Sequence, residues 1–96
     1  MSAKADLEKL ISNLFSRWDL ASEEQAALNI PGAEGWLLAV HKALRLLFPH
    51  NERLCYSWVK LRNQGLDNQT PLEIMIREGI EGIKRVSRYL DEEREM

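Results

Sequence analysis

Apolar residues in this chain return every three or four positions and nowhere alternate over a run long enough for a strand. That spacing constrains the fold more than any other feature, because a helix repeats every 3.6 residues and a strand every two. The first series is Leu7, Leu10, Ile11, Leu14, Phe15 and Trp18, with Asp6, Glu8, Lys9, Ser12, Asn13 and Arg17 on the other face. A second is Trp36, Leu37, Val40, Leu44 and Leu47. Ala39, Ala43 and Leu46 widen it, which predicts a central helix buried on more than one side. Leu54, Cys55, Trp58, Val59 and Leu61 form a third series, and Leu72, Ile76, Ile80, Ile83 and Leu90 a fourth. The expectation is an all-α fold, a compact bundle of five or six short helices in which sequence neighbours pack together.

The breaks between these series carry their own chemistry. Ser22-Glu23-Glu24-Gln25 reads as a capping box with Ser22 at the N-cap, and Pro31-Gly32 stops the short helix it opens. Phe48 ends the central helix, because a residue before proline is pushed out of the α region. Asn51 suits the next N-cap, and the polar stretch Asn63 to Gln69 is a loop. Thr70-Pro71-Leu72-Glu73 is the strongest local signal. Thr70 fits the N-cap, Pro71 the first helical position, and Glu73 the third position, where it closes a box. Gly79 divides the C-terminal series into a short and a longer helix, and the acidic tail from Asp91 to Met96 is expected to fray.

Ninety-six residues, 45% of them apolar, suit one domain spanning 1–96 with a core that needs no staples. The single cysteine, Cys55, excludes an internal disulfide and a cysteine-based zinc cage, and fits a reducing, cytoplasmic setting. The longest near-apolar run, Trp36 to Val40, is too short to cross a bilayer. Met1 to Leu10 mixes charge with leucine and lacks the basic-then-apolar order of a signal peptide. A net charge of −2 gives no electrostatic case for nucleic acid.

No grouping points to catalysis. His41 and His50 stand nine residues apart, without the i, i+4 partner of a helical metal site, and read as structural or solvated histidines. Cys55 shares a helix face with Val59 and reads as a buried, inert thiol. The carboxylates gather at Glu23-Glu24 and in the tail, where helix-dipole and solubility roles account for them, and no glycine-rich phosphate loop exists. The expectation is a protein that is not an enzyme and takes no metal or cofactor. The outline of Leu7–Leu28, a turn and a new helix also suits a helix-turn-helix. Yet Trp18 to His41 holds Asp19, Glu23, Glu24 and Glu34 and no Lys or Arg, a formal charge of −4. Duplex DNA would repel that surface, so a structural helical hairpin is the better reading. The segment Trp58–Glu73 admits two readings: a plain loop before a capped helix, or a rigid corner that presents side chains to a partner.

Several of these residues also stand in a familiar order. His41-Lys-Ala-Leu-Arg-Leu-Leu-Phe-Pro49, Trp58, Asn63, Leu66, Thr70-Pro-Leu-Glu73 and Val86-Ser-Arg-Tyr-Leu-Asp91 resemble the C-terminal toxin-binding domain of the Xre/MbcA/ParS antitoxin family. The resemblance covers roughly residues 36–94, and Leu14 to Leu28 is similar to the opening of that family's N-terminal helix-turn-helix. Residues 1–35 thus read as a reduced helix-turn-helix-like part and 36–94 as the toxin-binding part. Arg62-Asn63 stands where the family has Pro-Asn, and Asn68 where a glycine is usual. Asparagine is the next best residue for a left-handed turn. The family's basic recognition helix has shrunk to Asn29–Gly35, which agrees with the charge argument against DNA.

The resemblance implies a bacterial type II antitoxin that binds a RES-type, NAD-degrading toxin and covers its active-site entrance, with no chemistry or cofactor of its own. It also implies a homodimer. The contacts it suggests are Asn63, Gly65, Leu66, Asn68, Thr70, Arg88 and Tyr89, with Trp58, Phe48, Pro49, Pro71 and Leu90 assigned to packing. Two alternatives stay open: a transcriptional regulator using the N-terminal helices, and an orphan interaction module that keeps the fold without the toxin.

Overall fold

The computed structural model describes residues 3–95, with side chains from residue 6 onward. Six α-helices succeed one another: α1 Ala3–Arg17, α2 Ser22–Leu28, α3 Glu34–Leu47, α4 Glu52–Ser57, α5 Pro71–Glu78 and α6 Ile80–Arg94. Two single 3-10 turns, Trp58–Lys60 and Gln64–Leu66, link α4 to α5. Among the described residues there is no strand; one isolated bridge joins Asn63 to Gln69. The all-α expectation from apolar spacing is what the chain adopts.

α3 is the axis of the molecule. It packs along α6 and also meets α1 and α4. Trp36 at its start lies under Lys84 of α6, 5.5 Å from ring centroid to Nζ, and Leu46 and Leu47 at its end share a shallow groove with Glu93 and Arg94. The two helices therefore run in the same direction. Leu37, Val40, Ala43 and Leu44 of α3 are buried against Ile83, Val86 and Leu90 of α6, Ile74 and Met75 of α5, and Ile11, Leu14 and Phe15 of α1 in one continuous core. Leu46 does not widen the buried stripe as the spacing predicts. It stands nine residues from Leu37, half a turn around the helix, and is 54% exposed. Leu10 sits at the edge of the α1 stripe and is equally exposed.

The helix ends are set by backbone bonding. Asn51 Oδ1 accepts from the Leu54 N–H at 3.1 Å and Thr70 Oγ1 from the Glu73 N–H at 3.1 Å, so both expected caps form. Glu73 is placed at the third position, but only the Thr70 half of that box is made. The cap of α2 lies one residue earlier than Ser22. The Glu24 carboxylate accepts from the Ala21 N–H at 2.8 Å, and Ser22 becomes the first helical residue. Ala21 has no side-chain acceptor, so this too is half a box. Gln25 caps from the side instead, donating to the Leu20 carbonyl.

α1 closes without glycine. Asp19 adopts a left-handed conformation at φ 55°, its N–H bonds Ser16 O, and the Leu20 N–H reaches back to Phe15 O at 3.1 Å. This is a Schellman ending with an aspartate in the glycine position. Gly79 forms the elbow between α5 and α6, at φ 64° and ψ −139°. Three residues on, Gly82 lies so close to the Ile74 carbonyl that any side chain there would collide with backbone. That close approach seats α6 on α5.

Candidate functional site

The corner between α4 and α5 is organised by one side chain. Asn63 Oδ1 accepts from the Gly65 N–H at 2.9 Å and from the Tyr89 hydroxyl at 3.0 Å. The Asn63 carbonyl accepts from Leu66 and Asn68 N–H, each at 3.0 Å, and the Asn63 N–H donates to Gln69 O at 3.1 Å. Asn63 thus satisfies a turn of seven residues from inside, which is why a polar loop can be rigid. The chain reverses through two successive left-handed residues, Asp67 at φ 58° and Asn68 at φ 59°. Asparagine at 68 therefore supplies the turn that the resemblance assigns to glycine.

α6 braces this turn from below. The Tyr89 ring stacks on Trp58 with centroids 6.3 Å apart and leaves no room for a side chain at Gly65, where a Cβ would meet the phenol oxygen at 2.6 Å. Burial, then the nearby Glu93 carboxylate, push the Tyr89 phenol above its usual value, so it remains a donor to Asn63. Arg85 forks between two carboxylates, Asp67 at 3.1 Å in the turn and Glu78 at 3.2 Å at the end of α5. Arg62 donates to the Asn68 carbonyl at 3.0 Å and so ties the entrance of the turn to its exit.

The residues expected from the sequence divide into two groups. Asn63, Gly65, Asn68, Thr70 and Tyr89 do come together at this corner, and Leu66 plugs it from beneath at 2% exposure. Gly65, Asn68 and Arg88 face solvent, while Asn63, Thr70 and Tyr89 are half-buried supports. Trp58, Pro71 and Leu90 are buried as packing residues; Phe48 is half-buried and Pro49 exposed. Spacing and motif did not single out Asp67 and Arg85, and they marked Arg62 only as a departure from the family's Pro-Asn. A left-handed Asp67 has no single-residue signal, and Arg85 finds its partner 18 residues away.

The other candidate groups lie apart from this corner. Cys55 is buried, and burial raises its thiol above the usual range, disfavouring the reactive thiolate. His41 is half-buried and stacks on Tyr56 at 5.6 Å, with Nδ1 buried and unpartnered. Burial first, then Arg45 and Arg17, hold its pKa below the usual value. Among the described residues no His, Cys, Asp and Glu group could hold a metal ion, and no helix is long and apolar enough to cross a membrane.

Fold and corner together define a small all-helical domain with a pre-shaped surface turn. A family model describing the antitoxin Xre/MbcA/ParS C-terminal toxin-binding domain matches residues 43–95, just over half of the chain, and the chain belongs to that family. The match begins inside α3 and takes in the whole corner from Trp58 to Tyr89. No curated protein and no solved structure matches the chain.

Proposed function

We propose that this chain is the antitoxin of a type II toxin–antitoxin pair, and that it binds and neutralises a RES-type, NAD-degrading toxin without chemistry of its own. The observation that carries this reading is the coincidence of the family match with the braced corner at Asn63. A surface turn whose backbone is already bonded loses little freedom on docking, and preorganisation of this kind favours affinity. Gly65, Asn68 and Arg88 meet the toxin from outside. Asn63, Leu66, Thr70 and Tyr89 hold their positions from behind. Arg88 suits the outer role because it is exposed and makes no ion pair among the described residues.

The protein works in the cytoplasm as a homodimer under this reading. Leu10, Leu46 and Leu61 leave apolar side chains in solvent that a second copy could cover. The transcriptional reading finds no support in the α1–α2 hairpin, whose turn and second helix hold carboxylates and no cation.

The test is co-expression with a RES-type toxin encoded beside this chain. Rescue of growth and a stable complex on a sizing column are expected, and Arg88→Glu should weaken both. A toxin that stays active and elutes alone would overturn the reading.

A further inference from the structure

α1, α2 and the start of α3 enclose an open groove of about 460 Å³ on a part of the molecule that the toxin-binding match does not reach. All of its lining residues precede residue 43. Ile11 and Phe15, both in the core, form its floor, and Ala26 and Asn29 of α2 one wall. The carboxylates of Glu8 and Glu34 also line it, and among the described residues no cation does. Glu34 is partly held, accepting from the Gly32 N–H at 3.1 Å. The surrounding segment adds to the same sign, since Trp18 to His41 carries four carboxylates and no Lys or Arg.

We propose that this groove docks a basic segment of a partner polypeptide, with one Lys or Arg side chain laid along it. The aliphatic stem of such a residue would cover the Ile11–Phe15 floor while its charged head meets Glu8 and Glu34. The volume accommodates one or two long side chains. Charge complementarity selects the occupant: a phosphate-bearing ligand or an acidic peptide is repelled, and an apolar side chain alone brings no charge to meet the two carboxylates. Steering by the acidic segment adds to the rate of encounter and is weakened by salt.

The probe is a capped amphipathic Leu/Lys peptide, with its Leu/Glu counterpart as control, titrated into the whole chain and monitored by amide chemical shifts. Shifts confined to Ile11, Ser12, Ala26 and Asn29 are expected with the Lys peptide and none with the Glu peptide. The pair Glu8→Gln and Glu34→Gln should weaken binding about fivefold or more, whereas Glu92→Gln, outside the groove, should leave it unchanged. Circular dichroism checks that each variant keeps its helices. Equal binding by the double variant, or shifts spread along α6, would overturn the proposal. So would the same amides shifting with protein concentration alone, which would assign the groove to a second copy. None of these readouts involves the toxin, so failure here and failure of the antitoxin reading are separable.

Discussion

A methyl group on Gly65 would sit 2.6 to 2.9 Å from the phenol of Tyr89, a ring held in place by Trp58 and Asn63. The backbone at Gly65 is ordinary, so the requirement for glycine comes from this neighbour and not from conformation. Gly65→Ala should destabilise by about 1–3 kcal/mol, the usual cost of overpacking, read as a lower urea midpoint. In a Tyr89→Ala background the same change should cost much less, and equal costs in both backgrounds would mean the two residues are uncoupled. Asn63→Ala acts differently. It removes one acceptor from two donors, the Gly65 N–H and the half-buried Tyr89 hydroxyl, and should cost about 1–3 kcal/mol. The loop from residue 63 to 69 should then lose hydrogen-exchange protection before the helices do.

The elements are bounded by caps, and each cap has a measurable weight. Thr70→Ala should lose about 1 kcal/mol, because Thr70 Oγ1 satisfies the Glu73 N–H that begins α5. An unchanged denaturation midpoint would show that the Pro71 start suffices. This scale is also where sequence was most informative. Helical spacing located α1, α3, α4 and the α5–α6 stretch, capping chemistry located α2, and Thr70, Asn51, Phe48 and Gly79 marked ends that the structure keeps. The failures have physical causes. Ser22 outranks Ala21 as a cap by residue type, yet the Glu24 carboxylate reaches the Ala21 backbone and sets the start one residue earlier. The end of α1 hides in an aspartate that stands in for a glycine. Gly82 looks like a helix-weakening residue in sequence, and its purpose shows only once the Ile74 carbonyl lies against it. The corner was half legible for the same reason. Thr70 was legible from its capping pattern and Asn63 and Asn68 from the family resemblance, and all three bond near neighbours in the chain, whereas Arg85 to Asp67 is a tertiary pair.

At the scale of the whole molecule, the N-terminal helix joins the antitoxin-like unit through a cluster of charge and ring faces. Arg17 of α1 lies over Tyr56 of α4 at 5.2 Å and approaches Glu52 at 3.6 Å, while Lys60 bonds the Asp19 carbonyl. His41 of α3 stacks on the same Tyr56. The exposed Arg17–Glu52 ion pair is worth at most about 1 kcal/mol, so the join depends on packing and on His41 staying neutral. Burial and two flanking arginines lower its pKa from 6.5, so the unfolded chain takes up a proton more readily than the folded one. The resulting stability is complete above pH 6.5 and is lost as pH falls through the folded value. The urea midpoint should therefore decline on acidification from neutrality, before most carboxylates titrate below about pH 5. His41→Phe keeps a ring to stack on Tyr56 and removes the titration, so its midpoint should stay level over that window. A level curve for the unsubstituted chain would mean that His41 titrates as it does in water, and that its burial imposes no cost on the charged form.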